Sequence, residues 1–337
     1  MLTIHSNFGL KNHNTFGIDI EAQLFMNVTS VDDLLEALGK VKQEKLAYLI
    51  LGGGSNILFT ENYDGAVIHP QILGIESLSE DEDCATLKVG AGVEWDSLVE
   101  YCVDKNLGGL ENLSLIPGTV GASPIQNIGA YGVEAKDTIT EVEGIYIDTL
   151  APFKLTNAEC EFGYRDSVFK NRLKGKVVVT HVTYKLSKNP SLITHYGNLD
   201  AELDRLGSKT LQNVRKAVID IRNSKLPDPK ELGNAGSFFK NPVVDISLVE
   251  DLQQHFAKVP YYPVNDFSVK LPAGWLIEQS GWKGKRIGNV GVHKNQALVL
   301  VNYGNASGVE VVELAHQIRK SVMEMFNVSL EMEVNVI

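Results

Sequence analysis

The sequence predicts an α+β protein built from more than one domain. Three observations carry this. Strand-length apolar runs and helix-period segments follow one another in mixed order rather than strict alternation. Turns rich in Gly, Pro and Asn separate them. The chain has 337 residues, 44% of them hydrophobic, more than one small core would use.

Ser30 followed by Asp33 has the form of a helix N-cap, and Val31, Leu34, Leu35 and Leu38 then recur at helical spacing. Leu46–Leu51 reads as a buried strand that stops at Gly52-Gly53-Gly54-Ser55-Asn56, with Ile57-Leu58-Phe59 after it. Ala66–His69 and Ala85–Val89 are further short strands, and Trp95–Val103 is an amphipathic helix. From Gly108 to Glu134 no clear period survives. Val177–Leu186 alternates like a half-exposed strand. Thr210–Asn223 reads as a helix, stopped by Pro227 and Pro229. Beyond them come a strand over Ser237–Val244, a helix over Ile246–Ala257 and a short helix over Trp275–Gln279. A strand over Ala297–Asn302, a helix over Gly308–Phe326 and a last strand over Ser329–Val336 follow.

The formal net charge is -11, which argues against a nucleic-acid partner but leaves room for a small anionic substrate in a local basic pocket. Cys84, Cys102 and Cys160 are too scattered for a disulfide framework or a zinc site. The histidines lack metal-binding spacing. The N-terminus has no apolar signal-peptide core, and no apolar run approaches the roughly 20 residues of a membrane span. The expectation is a cytoplasmic protein with no membrane insertion and no metal.

Five stretches carry candidate chemistry. Gly52–Asn56 closes a strand, where successive N–H groups can cradle an anion; a plain tight turn explains it equally well. It has neither the Gly-x-Gly-x-x-Gly spacing of a dinucleotide fold nor the Lys of a phosphate loop. Ile116–Gly132 runs for seventeen residues with four glycines, two prolines and few charges, a loop too apolar to be solvated. A ligand or cofactor lying against it is favoured over an ordered interdomain loop. Gly163-Tyr164-Arg165-Asp166-Ser167 offers a guanidinium for a carboxylate, although a surface pair with Asp166 is the simpler reading of those residues alone. Asn234–Pro242 places Ser237 after Ala-Gly and before two phenylalanines, as a proton donor or as an ordinary turn hydroxyl. Lys225, Lys230 and Lys240 surround it and could face a diphosphate. Glu331-Met332-Glu333 puts two carboxylates on one face of an expected strand.

Taken in order, these segments resemble the UDP-N-acetylenolpyruvoylglucosamine reductase family. The matching pieces are Asn14–Ile18, Gly52–Asn56, Gly118–Gly132, Phe162–Ser167, Lys225–Lys230, Asn234–Pro242 and the terminal Glu strand. Each is weak alone; the ordered set covers nearly the whole chain. The resemblance implies an FAD-binding domain of the vanillyl-alcohol-oxidase type, formed by two α+β subdomains over residues 1–70 and 71–205. A substrate-binding α+β domain then spans 206–337, with the final strand returning to the active site. It implies a monomer that uses FAD and NADPH to reduce UDP-N-acetylglucosamine enolpyruvate to UDP-N-acetylmuramate, a precursor of peptidoglycan.

By the same resemblance, Gly52, Gly53, Gly54, Ser55, Asn56, Gly118, Gly121, Ser123, Pro124, Gln126, Asn127, Gly129, Ala130 and Tyr131 hold the FAD. Arg165 and Glu333 stabilise or polarise the enolpyruvyl group, and Ser237 protonates its C2. Tyr196, Lys225, Asn241 and Gln296 bind the sugar nucleotide, Tyr196 from a tyrosine loop of the family's first structural type. The chain departs from many relatives at Met332, where they have Pro, and at Asn335, where they have Arg. Two other readings compete: a flavin oxidase of the same fold, and a sugar-nucleotide sensor without catalysis. The ordered Ser237, Lys225 and Tyr196 segments disfavour the first, and the set Arg165, Ser237 and Glu333 disfavours the second.

Overall fold

The computed structural model describes residues 2–337 and divides into two compact units. One holds the residues up to Phe8 with Ala22–Gly53 and Asp64–Arg222; the other holds Gly9–Glu21, Gly54–Tyr63 and Asn223–Ile337.

In the first unit, the strands Thr3–Gly9, Glu21–Val28, Tyr63–Pro70 and Tyr48–Ile50 form a sheet in that spatial order. The helix Val31–Glu44 packs on it. Ser30 caps the helix by accepting a hydrogen bond from the Asp33 N–H at 3.0 Å, and Lys45 ends it in the left-handed region. Leu34, Ala37, Leu38 and Val41 share a core with Met26, Val28, Ala66 and Ile68. Truncating Leu34 or Leu38 to Ala would remove roughly 2–5 kcal/mol.

A five-stranded antiparallel sheet follows, in the order Pro152–Thr156, Ile139–Tyr146, Val177–Ser187, Cys84–Gly90, Ile75–Glu80. Val177–Ser187 is its middle strand, and here the expectation of a half-exposed strand is corrected. Val178, Val179, Thr180, Val182, Thr183 and Tyr184 are all buried, because both faces are covered. Val178 enters the core of the first sheet; Val179, Val182 and Tyr184 enter a second core with Trp95, Leu98, Val99 and Cys102 of the helix Trp95–Asp104. The helix Leu211–Lys225 buries Val214, Ala217, Val218 and Ile221 against Leu199 and Leu203.

In the second unit, Gly233–Ser237, Val299–Asn302, Val290–Val292 and Arg286–Ile287 form an antiparallel sheet. The helix Gly308–Phe326 has the bounds its periodicity predicts. Ser307 and Glu310 close a reciprocal capping box at its start, and Asn327 terminates it in the left-handed region. Three expectations are corrected. The strand expected over Ser237–Val244 is two strands, Gly233–Ser237 and Val243–Asp245, with irregular backbone between. The helix expected to reach Ala257 ends at Gln253. The expected last strand shrinks to Asn335–Val336, parallel to Ile57–Leu58, preceded by a single bridge between Met332 and Phe239.

Candidate active site

Each unit brings part of the expected site together. In the first, the two glycine-rich stretches pack on each other. A Cβ on Gly53 would lie 2.9 Å from Gly118 Cα, so a side chain there would push the two backbones apart, and one on Gly52 would lie 2.9 Å from the Thr119 side-chain Oγ1. Gly121 is as tight against Ala91, 2.6 Å from its Cβ. The backbone N–H groups of Gly52, Gly53 and Gly54 donate to no acceptor among the described residues. Polar groups left over in succession on a glycine turn suit an anionic ligand such as a diphosphate. Gly54, the first residue of its segment in the second unit, stands in the left-handed region at φ 64°, and a side chain there would strike the carbonyl of His13 of the same unit.

The polar side chains of the longer loop have a different fate. Ser123 is fully buried; its hydroxyl donates to the Val120 carbonyl at 2.8 Å and therefore accepts from the Tyr184 hydroxyl, also at 2.8 Å. Burial pushes the Tyr184 phenol far up from its ordinary value. Asn127 is equally buried and in the left-handed region. Its amide donates to Glu134 Oε2 and the Gly163 carbonyl, and its carbonyl accepts from the Lys136 N–H. Read as cofactor contacts from sequence, the Ser123 and Asn127 side chains are internal struts: their hydrogen bonds go to the protein and solvent does not reach them. Pro124 is buried too, whereas Gln126, Gly129, Ala130 and Tyr131 are half-buried.

That framed loop holds Arg165. The Gly129 carbonyl accepts from Nη2 at 2.6 Å and the Asn127 carbonyl from Nη1 at 3.4 Å. Arg165 itself is in the left-handed region, its guanidinium 5.6 Å from the Tyr164 ring centre. Tyr131 and Tyr196 meet edge to face at 6.5 Å. Asn112, buried, donates to the carbonyls of Tyr131 and Ile193 and so joins the glycine loop to the segment carrying Tyr196. Burial raises the Tyr131 phenol; Arg222 pulls it the other way, and Tyr196 adds to the rise. Asn112 and Arg222 were not singled out from sequence, because nothing local marks an Asn or a helical Arg whose partners lie far along the chain.

In the second unit, Ser237 owes its position to a bulge. Asn234 donates to the Pro227 and Leu232 carbonyls and accepts from the Gly236 N–H, and Gly236 adopts φ 67°. The strand register slips between Asn234 and Ser237, so that Ser237 is exposed while Phe238 and Phe239 are buried. The terminal segment lies alongside. The Phe238 carbonyl accepts from the Glu333 N–H, the Glu331 carbonyl accepts from the Lys240 N–H, and the Lys240 ammonium pairs with the Glu331 carboxylate. Ser237 and Glu333 are thus brought into adjacent segments; Glu331 is engaged with Lys240. Asn335 donates twice to the Asn56 carbonyl, through its N–H at 3.1 Å and its side-chain amide at 2.9 Å.

Asn241 and Gln296 meet at the start of the helix Ala273–Gln279. Asn241 Oδ1 accepts from the Ala273 N–H, and a Cβ on Gly274 would lie 3.1 Å from Gln296 Oε1. Lys225 ends its helix with an exposed side chain, where Asn295 donates to the adjacent Ser224 carbonyl.

Comparison with known proteins agrees with these features. Residues 22–148 match the FAD binding domain family, and residues 228–337 match the C-terminal domain family of UDP-N-acetylenolpyruvoylglucosamine reductase. A UDP-N-acetylenolpyruvoylglucosamine reductase of Flavobacterium johnsoniae is 52% identical over 339 residues, covering 100% of both chains. One from Bacteroides fragilis is 46% identical and covers 99% of this chain and 100% of its own. The crystal structure of the reductase from Thermus caldophilus aligns with a TM-score of 0.68 at 25% identity, covering 100% of this chain and 98% of that one. At such identities along its full length, the chain belongs to the UDP-N-acetylenolpyruvoylglucosamine reductase family.

Proposed function

We propose that this protein reduces UDP-N-acetylglucosamine enolpyruvate to UDP-N-acetylmuramate with NADPH, in the synthesis of peptidoglycan precursors. The observation that carries the reading is the 52% identity to a reductase of that name over 100% of the chain. FAD fits the residues present: the unbonded N–H groups of Gly52, Gly53 and Gly54 suit its diphosphate, and the backbone of Gly118, Gly121, Gln126, Gly129, Ala130 and Tyr131 lines a loop with few charges to compete. Ser55 and Asn56 continue the same turn. The chemistry supplied by bound FAD is hydride acceptance from NADPH and hydride donation to the enolpyruvyl double bond.

Hydride addition at C3 leaves electron density at C2, delocalised onto the carboxylate, and this charge requires fixed cationic or hydrogen-bonding groups. Arg165, steadied by two loop carbonyls, offers a guanidinium for the carboxylate. Ser237 donates the proton to C2. Its exposure at a bulge beside the Glu333 segment supports that role, since a hydroxyl alone is a weak acid and Glu333 can polarise the group or help return the proton. Tyr196, Lys225, Asn241 and Gln296 bind the sugar nucleotide. Residues 1–70 and 71–205 serve as the FAD-binding subdomains and 206–337 as the substrate-binding domain. No helix is long and apolar enough to cross a membrane among the described residues, and the reading places a monomer in the cytoplasm.

The test is NADPH oxidation by the FAD-loaded protein with and without UDP-N-acetylglucosamine enolpyruvate. Acceleration by the UDP-sugar is expected; an unchanged rate would reject the assignment.

A further inference from the structure

The start of the helix Trp95–Asp104 holds the approach to the longer glycine loop at three points. The Trp95 indole N–H donates to the Leu113 carbonyl at 2.9 Å, and the Trp95 backbone N–H donates to the Gly118 carbonyl at 3.0 Å. Between them, the Asp96 carboxylate accepts from the Leu115 N–H at 2.5 Å. Leu115 needs that hold. It stands at φ 59°, in the left-handed region, where a Cβ crowds the backbone and glycine would sit freely. A residue in such a conformation persists only where its surroundings fix it.

The carboxylate is itself gripped from far along the chain. Arg215, in the helix Leu211–Lys225, donates from Nη1 to Oδ1 at 2.7 Å and from Nη2 to Oδ2 at 2.9 Å, and its guanidinium reaches Glu100 at 3.6 Å. A two-pronged pair of this kind fixes direction as well as distance. The Arg215 side chain is only 11% exposed, so solvent competes little for it. Gln212 donates to the Val103 carbonyl and to Asn106 Oδ1, which joins the same two helices at the other end of Trp95–Asp104. An ion pair that served only to join helices would not need its acid to reach into a loop. Here Asp96 Oδ1 is shared with Leu115, three residues before Gly118, and Gly118 Cα is the atom that a Cβ on Gly53 would meet at 2.9 Å.

We propose that Asp96 and Arg215 are positioning residues for FAD: by fixing the left-handed turn at Leu115 they set where the Gly118 backbone stands against Gly53. They act through the Leu115 N–H, Asp96 as its acceptor and Arg215 by holding the carboxylate in the accepting direction. The inference rests on the assignment of Gly118 and of the turn at Gly52–Asn56 to FAD.

The experiment uses the full-length protein as wild type, Asp96→Ala, Asp96→Asn, Arg215→Met and Gly53→Ala. Each is titrated with FAD at a temperature where far-ultraviolet circular dichroism shows it folded, and the dissociation constant and the visible circular dichroism of the bound flavin are recorded. Asp96→Ala removes the acceptor of the Leu115 N–H and should raise the FAD dissociation constant about tenfold or more. Asp96→Asn keeps an oxygen for that N–H and should stay within about threefold of wild type. Arg215→Met leaves the carboxylate free to turn away and should fall between the two, with the flavin dichroism changing in the same order. A pair that only joins the helices would lower the unfolding midpoint in all three variants and leave both flavin readings unmoved. The inference is overturned if Asp96→Ala and Arg215→Met bind FAD within about twofold of wild type. It is equally overturned if Asp96→Asn weakens FAD as much as Asp96→Ala does, since the acceptor for Leu115 would then be irrelevant. Should Asp96→Ala fail to fold, Arg215→Met decides by the same twofold limit. Gly53→Ala drives a Cβ into Gly118 and must weaken FAD if the turn holds the cofactor; wild-type affinity in that variant would strike the assignment of the turn instead.

Discussion

Two stretches of this molecule are built from the same kinds of residue and put them to opposite uses. Gly118–Gly132 and Asn234–Pro242 each combine a small hydroxyl, an organising asparagine and at least one glycine in a turn. In the first, Asn127 ties its loop to Glu134, Gly163 and Lys136, and Ser123 is absorbed into the core against Tyr184. In the second, Asn234 ties the Pro227, Leu232 and Gly236 backbone, and the bulge this creates leaves Ser237 exposed. Residue type does not tell a strut from a reagent. The count of internal partners does: a serine with two hydrogen bonds inside the protein has little left to offer a ligand.

The comparison is sharpest in kinetics. Ser237→Ala should slow reduction of the UDP-sugar by about 10²–10⁴-fold while leaving flavin reduction by NADPH intact, because only the step at C2 consumes a proton. Stopped-flow traces of the two half-reactions separate these; equal slowing of both would remove Ser237 as the donor. Ser123→Ala should do the reverse. It strands the buried Tyr184 hydroxyl, so urea unfolding should register a loss of about 1–3 kcal/mol with kcat unchanged in the folded enzyme. A kinetic defect without loss of stability would turn the strut into a reagent and break the comparison.

Smaller effects test the surroundings. Tyr196→Phe removes one hydroxyl from the segment that Asn112 joins to the glycine loop, and should weaken sugar-nucleotide binding by about 0.5–1.5 kcal/mol without a matching fall in kcat. Unchanged affinity would take Tyr196 out of the site. The smallest effect concerns Asp96, which accepts from the Leu115 N–H as well as from Arg215. Burial raises its carboxyl, but Arg215 and Leu115 more than offset this and hold it below its ordinary value. The native form is therefore the one that binds fewer protons. Its contribution is complete above the unfolded value, about 3.9, and disappears as pH falls through the lower folded value. Asp96→Asn should lower Tm at neutral pH and flatten its decline below pH about 4. Parallel Tm curves for the two proteins over that range would show that the carboxylate contributes nothing.

Much of the architecture is written locally. Ser30 before Leu34 and Leu38, and Ser307 with Glu310 before a long apolar stripe, are start signals contained within four residues, and both helices form where those signals place them. The glycine pairs of Gly52–Gly54 and Gly118–Gly121 are legible for a related reason, since backbones that approach this closely tolerate no side chain.

What the sequence by itself determined, then, is where helices begin, where the chain must turn, and which ordered motifs mark the family, because those depend on near neighbours or on residue types that allow no substitute. Tertiary structure alone decided which groups remain unsatisfied. Val177–Ser187 became a doubly covered middle strand only when Ile139–Tyr146 and Cys84–Gly90 flanked it. Arg215 and Arg222 share a helix and a face, yet only one meets an acid, because Asp96 comes from more than a hundred residues earlier. Hydrogen-bond and charge compensation are properties of the folded neighbourhood, and a one-dimensional chain does not state which distant groups will supply them.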